Sequence, residues 1–183
     1  MSAPQAPTPA KLFMSALFRG GPEPADSAEF TAALAALRER FGATDVMSPL
    51  WQFDYTSYYF EEMGQPLWRR VFSFERLIRR EQLVDIKLFC AELEKRLADT
   101  AGRRRVNLDP GLVTRENFIL ATGKNITHRV YLERGIYADL TLLFKNKRFQ
   151  PLPWTYPDYA SAEMAALLAE MRQRLLEAGR ASA

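Results

Sequence analysis

The residues of this chain best equipped for chemistry gather between Gly102 and Gln150. Ten basic side chains stand there (Arg103, Arg104, Arg105, Arg115, Lys124, Arg129, Arg134, Lys145, Lys147 and Arg148) against four acidic ones, Asp109, Glu116, Glu133 and Asp139. The whole chain carries only +3, so the remainder is slightly acidic. Such an asymmetry suits a phosphate-bearing partner, a nucleotide or RNA, although a dispersed basic edge also discourages strand-to-strand aggregation. The same segment holds the sole histidine, His128, so any histidine acid/base step must use it. Asn107 and Asp109 occupy alternate positions of Asn107-Leu108-Asp109-Pro110-Gly111. On a strand end they present an amide and a carboxylate to one side, while an Asx turn in which Asp109 holds a Pro-Gly bend is the plainer use.

A period-two alternation runs through Arg129–Phe144. It places Val130, Leu132, Ile136, Ala138, Leu140, Leu142 and Phe144 on a core side and Arg129, Tyr131, Tyr137, Asp139 and Thr141 opposite. That second face could stack a base or grip a phosphate, or Arg129 could simply pair with Asp139 across the ladder. The string Trp154-Thr155-Tyr156-Pro157-Asp158-Tyr159 sets three aromatics between prolines, either as a pocket wall or as a staple for the last helix.

The carboxylates Asp54, Glu61, Glu62, Asp109, Asp139 and Asp158 are candidates for acid/base work or for a hard cation, yet none has a diagnostic spacing. With one His and one Cys, zinc is disfavoured and no metal ligand set is assigned. Gly123-Lys124 lacks the earlier Gly and the following Ser/Thr of a P-loop, and no dinucleotide fingerprint is present.

The leading expectation is therefore binding of a phosphate-bearing ligand on a basic, aromatic sheet face. Arg104, Lys124 and Arg129 would supply charge, and Tyr58, Tyr131 and Tyr156 aromatic walls. Asn107, Asp109 and His128 complete the candidate set, with His128 and Asp109 as the candidates for catalysis; no cofactor is identified. The alternative is a small metal-assisted hydrolase or transferase in which Asp54, Glu62, Asp109 or Asp139 hold a divalent cation and His128 moves protons. A third reading is an interaction protein whose aromatic segment docks a partner.

These side chains need elements to position them. At 183 residues, 48% hydrophobic and 26% charged, the chain can bury a core without disulfide or metal staples, which excludes disorder and cysteine-rich scaffolds for the whole. Its lone Cys90 reads as a small core residue in a reducing compartment. No apolar run reaches a membrane span and no signal peptide is evident, so a cytoplasmic, non-membrane protein is expected. Leu12–Phe18 reads as a buried strand. A helix follows, opened by an Asp26/Glu29 capping box and closed by Gly42. Val46–Tyr55 is strand-like, with Pro49 favouring an edge, and a tyrosine-rich connection runs to Gly64. Leu67–Phe74 is a third strand, Glu81–Ala98 a helix with the stripe Leu83, Ile86, Cys90, Leu93 and Leu97, and Arg103–Leu108 a fourth strand.

Strand, helix, strand, strand, helix, strand is the ferredoxin-like split βαβ order of an α+β fold. A hairpin turning at Glu133-Arg134-Gly135 extends it, with Gly135 at positive φ. Phe149–Tyr159 holds too many prolines for a central strand, and a last helix starts near Ser161. The expected division is a disordered tail over 1–10, one α+β domain over 11–178 and a frayed tail over 179–183.

Several strings together carry a resemblance. They are Lys11-Leu12-Phe13, Tyr58-Tyr59 with Glu62-Met63-Gly64, Arg104 to Gly111, Lys124 with His128-Arg129-Val130-Tyr131-Leu132, Gly135-Ile136-Tyr137-Ala138, and Pro153 to Tyr159. From Lys11 to the last helix the chain resembles the prokaryotic domain-of-unknown-function family four-four-one-six. The resemblance implies a single-domain protein without an established biochemical role. Some relatives carry an automatic GTP-binding label, which the missing P-loop does not support. It also implies that Asn107, Asp109, His128, Arg129, Tyr156 and Asp158 belong to the family's own motifs.

Overall fold

The apolar run near the N-terminus is buried on both faces, as a central strand must be, and the sheet is built around it. A computed structural model describes residues 3–21 and 25–181. β1 (Ala10–Arg19) lies antiparallel between β4 (Leu67–Ile78) and β5 (Val106–Val113). The remaining strands are β2 (Thr44–Met47), β3 (Trp51–Gln52), β6 (Asn117–Thr122), β7 (Arg129–Glu133), β8 (Ile136–Lys145) and β9 (Arg148–Pro151). Among the described residues the strands form one antiparallel sheet of nine in the order β2-β4-β1-β5-β6-β8-β7, with β3 also on β4 and β9 also on β8. The helices are α1 (Ala28–Phe41), α2 (Phe60–Met63), α3 (Leu83–Arg96) and α4 (Ala162–Ala181). The protein is thus α+β, and α1 and α3 each lead to a strand two places along the sheet.

Alternation along β1 sends Leu12, Met14 and Phe18 to one face, where they pack with Phe30 and Leu37 of α1 and Cys90 of α3. Phe13 faces the other way, against Phe118 and the Met164, Leu168 and Met171 stripe of α4. Burial of the Cys90 thiol pushes its pKa up, consistent with an inert core cysteine.

Local chemistry differs from expectation in places. Ser27, not Asp26, caps α1, its hydroxyl accepting from the Phe30 amide at 3.1 Å. Asp26 instead receives Arg70 at 2.8 Å. Gly42 closes α1 at φ 96°. The strand expected over Val46–Tyr55 is broken around Pro49 into β2 and β3, both on the edge of β4. The tyrosine-rich connection contains α2. Residues 3–9 form no regular element, and Ala10 already opens β1. The helix expected to fray after Gly179 continues to Ala181, while residues 1–2 and 182–183 lie outside the described part.

The hairpin turns as expected, with Arg134 and Gly135 both at positive φ. Its faces do not divide as the alternation suggests. Val130 and Leu132, expected in the core, are 67% and 40% exposed, whereas Asp139 and Thr141, expected on an open face, are buried. β7 ends the sheet, and its Val130 and Leu132 stay exposed there. Irregularities at Phe118/Ile119 and Tyr131/Glu133 shift the alternation. The segment after β9 covers β8, with the Trp154 indole N–H donating to the Leu140 carbonyl at 2.8 Å.

Between β5 and β6 the sheet opens into a fork. Asn107–Gly111 does not turn but lies inside β5, so the expected Asx bend is absent. β5 pairs with β1 along its whole length, yet with β6 only from Gly111 to Val113. Strand alternation points the Leu108 and Pro110 backbones toward β6, and Pro110 has no N–H to offer. The Leu108 groups are taken by α3 instead: its amide donates to Glu94 at 2.6 Å, and its carbonyl accepts from Lys87 Nζ at 2.9 Å. Where the strands still meet they are close, because a Cβ on Gly111 would stand 2.6 Å from the Ile119 carbonyl oxygen.

Candidate functional site

A cleft of about 550 Å³ fills the fork. Its walls come from distant parts of the chain: the loop after β3 (Phe53, Tyr55, Tyr58, Tyr59), Arg69 of β4, Lys87 and Glu94 of α3, and Arg104, Asn107 and Asp109 at the start of β5. Thr122 at the end of β6, Gly123 and Lys124 after it, Arg129, Asp139 and Tyr156–Tyr159 close it.

One side is a chain of charge-assisted hydrogen bonds. Arg104 grips Glu62 with Nε and Nη2, the latter at 2.6 Å, and donates through Nη1 to Asn107 at 2.7 Å. The Asn107 amide donates to Asp109 at 2.7 Å, and the other Asp109 oxygen receives Lys87 at 3.0 Å. Burial alone would raise the Asp109 pKa, but Lys87 and Asn107 outweigh it and hold the carboxyl below its ordinary range. The bond from Arg104 likewise lowers Glu62. Lys87 stays charged despite burial because Asp109 and Glu94 face it. Glu94 is raised, with burial outweighing Lys87 and the Leu108 amide.

Across the cleft, Arg69 donates to Asp158 at 2.6 Å with both side chains almost fully buried. Its guanidinium carbon lies 4.7 Å from the Phe53 ring centre and 5.0 Å from that of Tyr159. The Arg69 Nε is buried without a hydrogen-bond partner, the one such side-chain atom among the described residues.

At the remaining end, Arg129 Nε donates to Asp139 at 2.8 Å, and Nη1 reaches the Lys124 carbonyl at 3.1 Å. This is the cross-strand pair that alternation allowed, Arg129 and Asp139 being register partners. Lys124 Nζ sits 4.0 Å from the centre of the Tyr58 ring, joining the loop after β6 to the loop after β3.

Of the residues expected at a site, Tyr58, Arg104, Asn107, Asp109, Lys124, Arg129 and Tyr156 all line this cleft. His128 lies behind its wall, with Nε2 3.4 Å from the Asp139 oxygen that Arg129 holds and its ring stacked on Trp154 at 5.0 Å. Tyr131 is on the outer strand β7, 57% exposed and against Tyr137. Asp54 is exposed away from the cleft and Glu61 likewise, while Glu62, Asp109, Asp139 and Asp158 are each tied to a cation. Among the described residues no three His, Cys, Asp or Glu side chains come together as a metal group.

Sequence reasoning missed Tyr59, Arg69, Lys87 and Glu94 as site residues. Lys87 and Glu94 stand seven apart, two turns along one side of α3, beside its apolar stripe, a spacing that could have marked them. Nothing in Leu67–Phe74 separates inward-facing Arg69 from Arg70, which pairs outside with Asp26.

Sheet and cleft define an α+β protein with a small-molecule-sized hollow between splayed strands. Residues 8–175 match the model of the family described as Domain of unknown function (DUF4416), and the chain belongs to that family. No curated protein and no solved structure matches it. No helix among the described residues is long and apolar enough to cross a membrane.

Proposed function

We propose that this protein binds a small phosphate-bearing ligand with a planar ring, of mononucleotide size, inside the forked cleft. The observation that carries the reading is the convergence of aromatic rings (Tyr58, Tyr59, Tyr156) and cations (Arg104, Lys124, Arg129) on one hollow of about 550 Å³. That volume falls within the roughly 300–1,000 Å³ of small-molecule sites. Rings offer stacking surface to any base, and a cation in a recess attracts a phosphate more strongly than one on an open face. A hollow suits a mononucleotide better than a strand of RNA. Tyr131, the ring that would belong to an open stacking face, stands outside it.

The test is calorimetric titration of the full chain with AMP, GMP, CMP and UMP and with the four matching nucleosides, at low and moderate salt. At least one nucleotide is expected to bind at micromolar Kd, with its nucleoside tenfold or more weaker and affinity falling as salt rises. Equal affinity for nucleotide and nucleoside, or no binding by any nucleotide, overturns the reading. Tight binding of an RNA oligomer that Tyr131→Ala abolishes would replace it with the RNA alternative.

A further inference from the structure

The cations of the cleft are matched one to one, with a single exception. Arg69 is met by Asp158, Lys87 by Asp109, Arg104 by Glu62 and Arg129 by Asp139. Glu94, the carboxylate left over, is committed to the Leu108 amide and lies 3.8 Å from Arg104. Among the described residues Lys124 alone of these cations has no carboxylate partner, its ammonium resting on the Tyr58 ring.

Resting on the nucleotide reading, we propose that the cleft selects ligands bearing one phosphate group, seated on Lys124, and discriminates against di- and triphosphates. The reason is charge matching at the mouth of the cleft, where Lys124 and Tyr58 are both exposed. A monophosphate finds one uncommitted ammonium, with Arg129 close behind it through the Lys124 carbonyl. A second or third phosphate brings further negative charge to a wall whose other cations are already neutralised. It would have to break an existing pair or lie beside the carboxylates of the lining, Asp139 and Asp109, and like charges repel. Electrostatic selectivity here comes from carboxylates that leave only one cation free.

The Lys124–Tyr58 contact joins the two ligand groups in one movement. In the free protein the ammonium covers the Tyr58 ring, so a base alone must compete with it for that face. A phosphate draws the ammonium away and bares the ring for stacking. The two halves of a nucleotide therefore bind better together than separately, and orthophosphate or a nucleoside alone binds weakly.

The experiment compares each monophosphate with its di- and triphosphate by titration calorimetry, with and without Mg²⁺, on the full chain. The preferred monophosphate is expected to bind at least tenfold tighter than its triphosphate in both conditions. Lys124→Ala is expected to weaken it tenfold or more, and Lys124→Arg to restore most of that loss. Glu62→Gln, which frees the half-exposed Arg104, is expected to shift the ratio toward the triphosphate by about tenfold, a gain that damage to the fold would not produce. Triphosphate binding as tight as monophosphate, or no shift in ratio with a correctly folded Glu62→Gln protein, refutes this selectivity while leaving the nucleotide reading standing. Failure of every nucleotide to bind refutes both.

Discussion

Gly111 is the point at which β5 and β6 part, and replacing it with Ala tests the fork directly. Its Cβ would stand 2.6 Å from the Ile119 carbonyl oxygen, 3.1 Å from a Leu120 methyl and 3.2 Å from the Phe118 ring. The first neighbour is backbone in the adjacent strand and cannot rotate aside, so the strands must separate by several tenths of an ångström. Overpacking of this kind costs about 1–3 kcal/mol. Loss of glycine freedom in the unfolded chain offsets about 0.4–1 kcal/mol of that. Gly123→Ala is the internal control: nothing lies within 4 Å of its Cβ, and only the unfolded-chain gain remains. The two variants are expected to differ by about 2 kcal/mol, equivalent to roughly 4–8 °C in melting temperature at this chain length. Urea titration followed by circular dichroism measures the difference. Hydrogen exchange at Ile119 and Leu112 should speed up in Gly111→Ala alone, since only three residue pairs join these strands. Melting of the two variants at the same temperature would refute the close approach and with it the geometry assigned to the fork.

Further expectations concern the buried charges. Arg69→Met keeps an apolar stem between Phe53 and Tyr159 but leaves the buried Asp158 alone, and should cost about 3–5 kcal/mol. Adding Asp158→Asn should recover at least about 1 kcal/mol of it, and strictly additive losses in a double-mutant cycle would deny the coupling. Glu94 has its carboxyl pKa raised by burial, so its contribution to stability is full below the unfolded carboxylate range and is lost as pH rises through the folded value. Glu94→Gln keeps the acceptor for Leu108 and should gain on the parent protein as pH climbs from 4 to 8; a shrinking difference would contradict this. Asp109 has the opposite sign, its stabilisation being lost as pH falls through its lowered pKa, so Asp109→Asn should flatten the acid limb of the stability profile.

Much of this structure can be read from residue order. The α3 stripe, the positive-φ turn at Gly135 and the stop at Gly42 follow from short-range rules, and the structure obeys them. The alternate placement of Asn107 and Asp109 also survives, because both lie on one side of β5 and bond to each other. Their sharp bend does not. Asp-Pro-Gly commonly turns a chain, but here β1 pairs with all three residues and holds them extended. The hairpin faces went astray for another non-local reason, since period two cannot reveal a bulge or say where the covering helices stop. Arg69 is inward because β1, the loop after β3 and the loop before α4 enclose it, and none of that is written in Leu67–Phe74.

Lys87 and Glu94 stand in for a missing strand: between them they answer the one amide and one carbonyl that Leu108 turns toward the gap. An interior sheet edge normally invites another strand, whether from its own neighbour or from a second molecule. Here two side chains a couple of helical turns apart occupy that invitation with matched donor and acceptor, so the gap neither zips shut nor recruits a foreign strand. The width of the hollow is then governed by where α3 sits over the sheet. A displacement of that helix by a single turn would release both bonds together and change the width of the hollow.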